Sequence, residues 1–249
     1  MTSLSMVLLF AVVAFVPANT WAAQTFFGED LGQGELVRLS SHPNADAARA
    51  QFLSNLSGPV TANLENFSAG ATAPLVVDFG PAGSATLLGG GSIAEVLSGT
   101  NGFGRYPISG TKYWDSSGTF SITFSQPQVA FGFYGVDIGD FGAQLTITYV
   151  DGSSQLLTIP NTIDGLGGSV LYFAFIDAAN PFTSLSFANV GSPGVSDIFG
   201  FDDFTIGTTQ QVVAAVPTLT EWGMAFMALL LAVTAVFYIR RQRIEFRLG

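Results

Sequence analysis

Apolar residues recur at two different spacings along the chain. After Pro43, Ala48, Phe52 and Leu56 fall at i, i+4 and i+8, the stripe of a helix resting on a core. Asn44 can cap that helix, and Ser57-Gly58-Pro59 can stop it with a glycine at C′. Beyond it the period drops to two. Phe120-Ser-Ile122-Thr-Phe124 and Leu145-Thr-Ile147-Thr-Tyr149 alternate cleanly, as strands with one buried face do. Further strands are predicted over Leu75–Phe79, Ala85–Leu88, Val129–Val136, Gln155–Ile159, Val170–Ile176, Ser184–Phe187 and Phe201–Ile206. Turn-forming segments such as Asp151-Gly152-Ser153 and Gly191-Ser-Pro-Gly194 separate them. The pattern predicts a mainly β domain over residues 24–207. It is an antiparallel β-sandwich, jelly-roll-like, with one short peripheral helix.

Both ends break this rhythm. Met6–Val16 is an apolar run followed by Pro17 and the small residues of Ala18–Ala23. It is too short to span a bilayer and has the form of a signal peptide over 1–23, cleaved after Ala22 or Ala23. No Lys or Arg precedes Arg38, so the amino terminus alone supplies the usual positive charge. Trp222–Ile239 is uncharged for eighteen residues, and as a helix it would cover roughly 27 Å. That length approaches the hydrocarbon thickness of a membrane. Trp222 and Tyr238 stand near its two ends, and Arg240, Arg241, Arg243 and Arg247 follow. Aromatic belts and the positive-inside rule then put the tail 240–249 in the cytoplasm and the domain outside it. Residues 208–215 read as a linker.

Composition narrows the chemistry. The chain has no Cys, one His (His42), one Lys (Lys112) and 23 Phe, and only 10% of its residues are charged. Disulfides, thiol nucleophiles and cysteine metal sites are excluded. Half of the eight basic residues lie in the last ten positions, which excludes a nucleic-acid footprint. Between residues 24 and 216, sixteen Asp and Glu face only Arg38, Arg49, Arg105 and Lys112, a net of −12.

The C-terminal segment resembles a known family. Val216-Pro217-Thr218-Leu219-Thr220-Glu221-Trp222-Gly223, an apolar span and then Arg240-Arg241 are similar to an IPTL-CTERM sorting domain. That family is a variant of the PEP-CTERM signals of Gram-negative bacteria, which exosortase-type membrane enzymes recognise. Val216 stands where Ile is usual, and Thr220 where Ser is common. The resemblance implies a membrane-inserted substrate of an exosortase-type sorting enzyme, cut near the motif and delivered to the cell surface or extracellular matrix; a plain membrane anchor that is never cut is the alternative. The rest of the chain also resembles extracellular proteins that carry such tails. The matching pieces are Phe27-Gly-Glu29-Asp30-Leu31, Asn44–Arg49, Gly132–Asp140 and Gly200–Ile206. This second resemblance implies fold and location rather than an activity.

Carboxylates are the main reactive groups available. Abundant hard oxygen ligands with no Cys point to Ca²⁺ as the expected metal, if one binds. Phe201-Asp202-Asp203-Phe204 is similar to the terminal-strand pattern that supplies a structural calcium ligand in jelly-roll carbohydrate-binding modules. In such modules the first and last strands often lie together, and Glu29-Asp30 lies near the start of this domain. Strand alternation would turn Asp202 and Asp203 to opposite faces. Asp137 and Asp140, in a glycine-rich segment, form a second candidate site, and ordinary turn and cap carboxylates are the alternative for both clusters. For sugar binding, Arg105, Tyr106, Tyr113 and Trp114 lie in what reads as a loop-rich stretch. A buried core role is the commoner fate of a single Trp. No nucleophile-elbow, zincin or P-loop pattern occurs, and His42 reads as a surface loop residue. The expectation is an exported, non-enzymatic surface or matrix protein associated with exopolysaccharide. A carboxylate-based glycan hydrolase and a self-associating structural component of a surface layer or biofilm are the alternatives.

Overall fold

The computed structural model describes residues 23–139, 142–163, 165–190, 198–209, 226–236 and 238–239. In chain order the elements are β1 (Gln24–Asp30), α1 (Pro43–Ser54), β2 (Leu56–Ala62), β3 (Leu75–Asp78), β4 (Ser84–Gly89), β5 (Ser92–Glu95), β6 (Lys112–Ser117), β7 (Phe120–Gln128) and β8 (Ala130–Val136). They continue with β9 (Gly142–Tyr149), β10 (Ser154–Ile159), β11 (Val170–Ile176), β12 (Phe182–Val190) and β13 (Ile198–Thr209). The strands form two antiparallel sheets. One has the order β1-β11-β8-β13-β6-β5, with β2 paired to the second half of β13. The other has the order β10-β9-β12-β7-β4-β3.

The expected sandwich is present, and its core is aromatic. Phe131, Phe133, Phe173, Phe199 and Phe201 from the first sheet meet Phe120, Ile122, Leu145, Phe182 and Phe187 from the second. Alternation is clean where only one face is buried, as in β9. By contrast, β8 and β11 are buried along their whole length. Their outward residues, including Tyr134, Val136, Tyr172 and Ala174, form a second core with Ala45, Ala48 and Phe52 of α1. A sheet buried on both faces reads as a continuous apolar run.

Glycine lets the helix approach this closely. A Cβ on Gly28 of β1 would lie 2.1 Å from the Asn44 carbonyl oxygen, and one on Gly132 of β8 would lie 3.0 Å from the Phe52 ring. Tyr134 then ties β8 to α1, its hydroxyl donating to Asp46 Oδ1 at 2.6 Å.

Three expectations change. The helix ends at Ser54, and Leu56 opens β2 instead of extending the helical stripe. Strands β1, β2, β5 and β6 were not predicted. The first and last strands are not neighbours either, because β11 and β8 lie between β1 and β13.

The chain divides into two compact units, Met1–Gln210 and Gln211–Gly249. In the second, residues 226–236 and 238–239 are helical, with Phe226, Leu229, Leu230 and Val233 exposed. No helix among the described residues is long and apolar enough to cross a membrane. The predicted span 222–239 lies partly outside those residues, and the predicted signal peptide lies outside them up to Ala22.

Candidate functional site

The carboxylates named as metal ligands each hold a piece of backbone. Asp30 caps α1 from fourteen residues away: its Oδ2 accepts from the backbone N–H groups of Asn44 at 3.0 Å and Ala45 at 2.9 Å. The sequence pattern predicts Asn44 in that role, but Asn44 lies inside the first turn, whose N–H groups lack intrahelical partners and are met by Asp30 instead. Glu29 Oε2 accepts from the Thr162 N–H at 3.0 Å and its hydroxyl at 2.7 Å.

Asp202 and Asp203 converge on one loop. Asp202 Oδ2 accepts from Ile108 N–H at 2.8 Å and Ser109 N–H at 3.0 Å, and its Oδ1 accepts from the Asp203 N–H at 2.7 Å. Asp203 Oδ1 accepts from the Ser109 hydroxyl at 2.7 Å. Alternation should separate the two side chains. A β-bulge between Asp202 and Thr205, with Asp203 at φ +51°, brings both to Ser109. Burial pushes the Asp202 carboxyl well above the usual range, and Asp203 rises for the same reason.

The geometry does not gather these groups around a cation. Two strands separate Glu29 and Asp30 from Asp202 and Asp203, and both Asp202 oxygens already face N–H donors. Asp137 Oδ1 accepts from Gly168 N–H at 2.8 Å, and its Oδ2 lies 3.9 Å from Arg105 Nη1. Its expected companion Asp140 lies outside the described residues. No group of three or more His, Asp or Glu among the described residues is placed to hold a metal ion.

The aromatic candidates are core residues. Lys112–Ser117 is a strand, not a loop, with β5 on one side and β13 on the other. Trp114 and Tyr113 are 0% exposed and Tyr106 1%. Burial raises the pKa of the Tyr106 and Tyr113 hydroxyls. Rings so placed cannot stack on a sugar. Arg105 is buried as well, with Nε donating to Asp115 Oδ1 at 2.7 Å. In the same stretch the ring that does face solvent is Phe103, 65% exposed.

A different concavity lies beside these residues. A half-open cleft of about 340 Å³ is lined by Arg38, Leu39, Ser40, His42, Tyr106, Pro107 and Ile108. Arg38 lies over the Tyr106 ring, 5.2 Å from its centroid, and Nη2 donates to the Pro107 carbonyl at 2.8 Å. Tyr106 is fixed in turn: its hydroxyl donates to the Gly168 carbonyl at 3.0 Å and accepts from Leu39 N–H at 3.2 Å. His42 Nδ1 stands 2.9 Å from Asp46 Oδ1. Arg38 and Ser40 carried no sequence signal beyond the scarcity of basic residues.

Residues 214–243 match the family model of the IPTL-CTERM motif. The chain carries a C-terminal sorting domain. The IPTL-CTERM match contains Val216, Pro217, Thr218, Leu219, Thr220, Glu221, Trp222 and Gly223, all outside the described residues. The motif marks a chain exported and anchored through a sorting system.

No curated protein matches the chain. Among solved structures, the CBM22-1 xylan-binding domain of Xyn10C from Paenibacillus barcinonensis is similar at 12% identity and a TM-score of 0.36, over 61% of this chain and 95% of that one. A cleaved adhesin domain of Lys-gingipain from Porphyromonas gingivalis is similar at 11% identity and a TM-score of 0.37, over 62% of this chain and 100% of that one. A family 29 carbohydrate-binding module complexed with mannohexaose is similar at 16% identity and a TM-score of 0.33, over 61% of this chain and 92% of that one. Likeness at this level carries no argument about ligand or activity.

Proposed function

We propose that the chain is an exported bacterial surface or matrix protein whose sandwich is a non-catalytic module associated with extracellular polysaccharide. The observation that carries this reading is the IPTL-CTERM match joined to a β-sandwich. In the proposed topology residues 1–23 are removed, 222–239 crosses the membrane, and the basic tail stays in the cytoplasm. An exosortase-type enzyme then cuts near Thr218–Thr220.

The hydrogen-bonded carboxylates favour binding over hydrolysis. A glycosidase needs a carboxyl pair facing substrate across the scissile bond. Here Asp30, Glu29, Asp202 and Asp137 hold a helix cap and three loops through their oxygens. A surface poor in charge and rich in Ser, Thr, Asn and Gly also suits a hydrated polysaccharide layer.

Affinity electrophoresis of the full chain in detergent tests the reading. Polysaccharide from the producing cells in the gel is expected to retard the protein, without releasing new reducing ends. Release that disappears on substituting one carboxylate would instead establish a hydrolase. Self-association with no retardation would establish a structural component.

A further inference from the structure

Of the four basic residues between residues 24 and 216, Arg38 is the one that lines the cleft. Of the domain's other basic residues, Arg105 pairs with Asp115 at 2.7 Å, Lys112 Nζ donates to the Glu65 carbonyl at 3.0 Å, and Arg49 Nε is buried without a hydrogen-bond partner among the described residues. Arg38 has no carboxylate within ion-pair distance among the described residues, although sixteen Asp and Glu lie between residues 24 and 216. It is nevertheless well positioned. The Tyr106 ring supports one face of the guanidinium, and the Pro107 carbonyl fixes one nitrogen. A fork held in this way loses little freedom when a ligand arrives.

The surroundings set the ligand chemistry. No Asp or Glu lines the cleft. Asp46 stands 2.9 Å from Nδ1 of His42, and Asp202 Oδ2 accepts from the Ile108 N–H, both partners being residues that line the cleft. Charges farther off are screened over roughly 8 Å at physiological ionic strength, so the local guanidinium governs. A planar guanidinium with unpaired donors matches a carboxylate bidentately. Ser40 and His42 at the rim add partners for hydroxyl groups. The cleft's volume of about 340 Å³ is at the small end of the range for ligand sites, which suits a short stretch of saccharide.

The geometry points to this cleft as a subsite for an acidic saccharide, with Arg38 receiving a uronate carboxylate. The inference rests on the polysaccharide reading above and specifies it: the bound polymer carries uronic acid residues.

Calorimetric titration of the full chain in detergent tests it, with tetragalacturonate as probe and its methyl ester as an uncharged analogue. A charge-assisted hydrogen bond predicts that the acid binds at least about tenfold more tightly than the ester. Arg38→Gln should lose that difference. Ser40→Trp, at an exposed position, should block the acid while leaving Arg38 and its bonds in place. Equal binding of acid and ester overturns the inference, as does a Ser40→Trp variant that binds normally. A chain that binds no uronate but is still retarded by whole exopolysaccharide sinks the inference alone. A chain that binds no saccharide of either kind sinks the polysaccharide reading with it.

Discussion

Truncation of Phe201 to alanine is expected to cost the sandwich about 3–5 kcal/mol, the range for deleting a fully buried aromatic side chain. Phe201 sits in β13 at the middle of the first sheet, opposite Trp114 on β6 and Gly135 on β8. Its ring is 0% exposed and touches both sheets. The centroids of Phe187, Phe120 and Phe133 lie 4.7, 4.8 and 5.4 Å away. Edge and tilted pairs at these distances add to the burial itself. The gap left among these rings is only about 10 Å³, evidence of a tightly packed interior that collapses poorly around a missing ring. Phe103→Ala, at a position 65% exposed, is the matched control and should shift stability by less than about 0.5 kcal/mol. Urea denaturation of the full chain measures both. Comparable losses for the two variants would show that the aromatic core is not where the fold holds.

The second large effect concerns pH and has an unusual sign. Burial raises the carboxyl pKa of Asp202, Asp203 and Asp115 above the ordinary value of 3.8, because desolvation penalises the ionised form. The native protein therefore keeps protons that the unfolded chain has already released. Each such group gives stability that is complete below the unfolded pKa and is lost as pH rises through the folded one. Each unit of difference corresponds to about 1.4 kcal/mol, and the three contributions share one sign. Asp151 acts in the opposite sense: the Ser153 hydroxyl and N–H hold its pKa down, but it is fully exposed. The melting temperature is expected to fall as pH rises from about 4.5 to 7.5. Asp202→Asn, which keeps an acceptor for the Ile108 and Ser109 N–H groups, should flatten that slope. A melting temperature that rises across the same interval would mean that paired rather than buried carboxylates dominate.

These features differ in how far they could be read from the chain. β7 and β9 were legible because each has one wet face, so Phe120-Ser-Ile122 and Leu145-Thr-Ile147 alternate. β8 and β11 were legible as strands, and their unbroken apolar runs, AFGFYGV and VLYFAFI, are the mark of an outer face dried by α1. β2 was hidden because Gly58 and Pro59 read as a helix stop, yet both lie within a strand paired to β13. β6 was hidden because KYWDSS is short and polar, and its neighbours β5 and β13 supply its order. That misplacement turned Tyr113 and Trp114 into supposed surface groups. The pairing of Asp202 with Asp203 on Ser109 depends on a bulge and a positive φ, neither of which alternation can anticipate. The cap of α1 comes from Asp30, too far along the chain for local capping rules. The IPTL-CTERM motif is linear, and it was legible in full.

Export followed by removal of the sorting segment is the central claim, and mass spectrometry of the intact protein recovered from outside the producing cells tests it most directly. The expected species begins at Ala23 or Gln24 and ends near Thr218–Thr220. A chain still ending at Gly249, or one retaining residues 1–22, would contradict it.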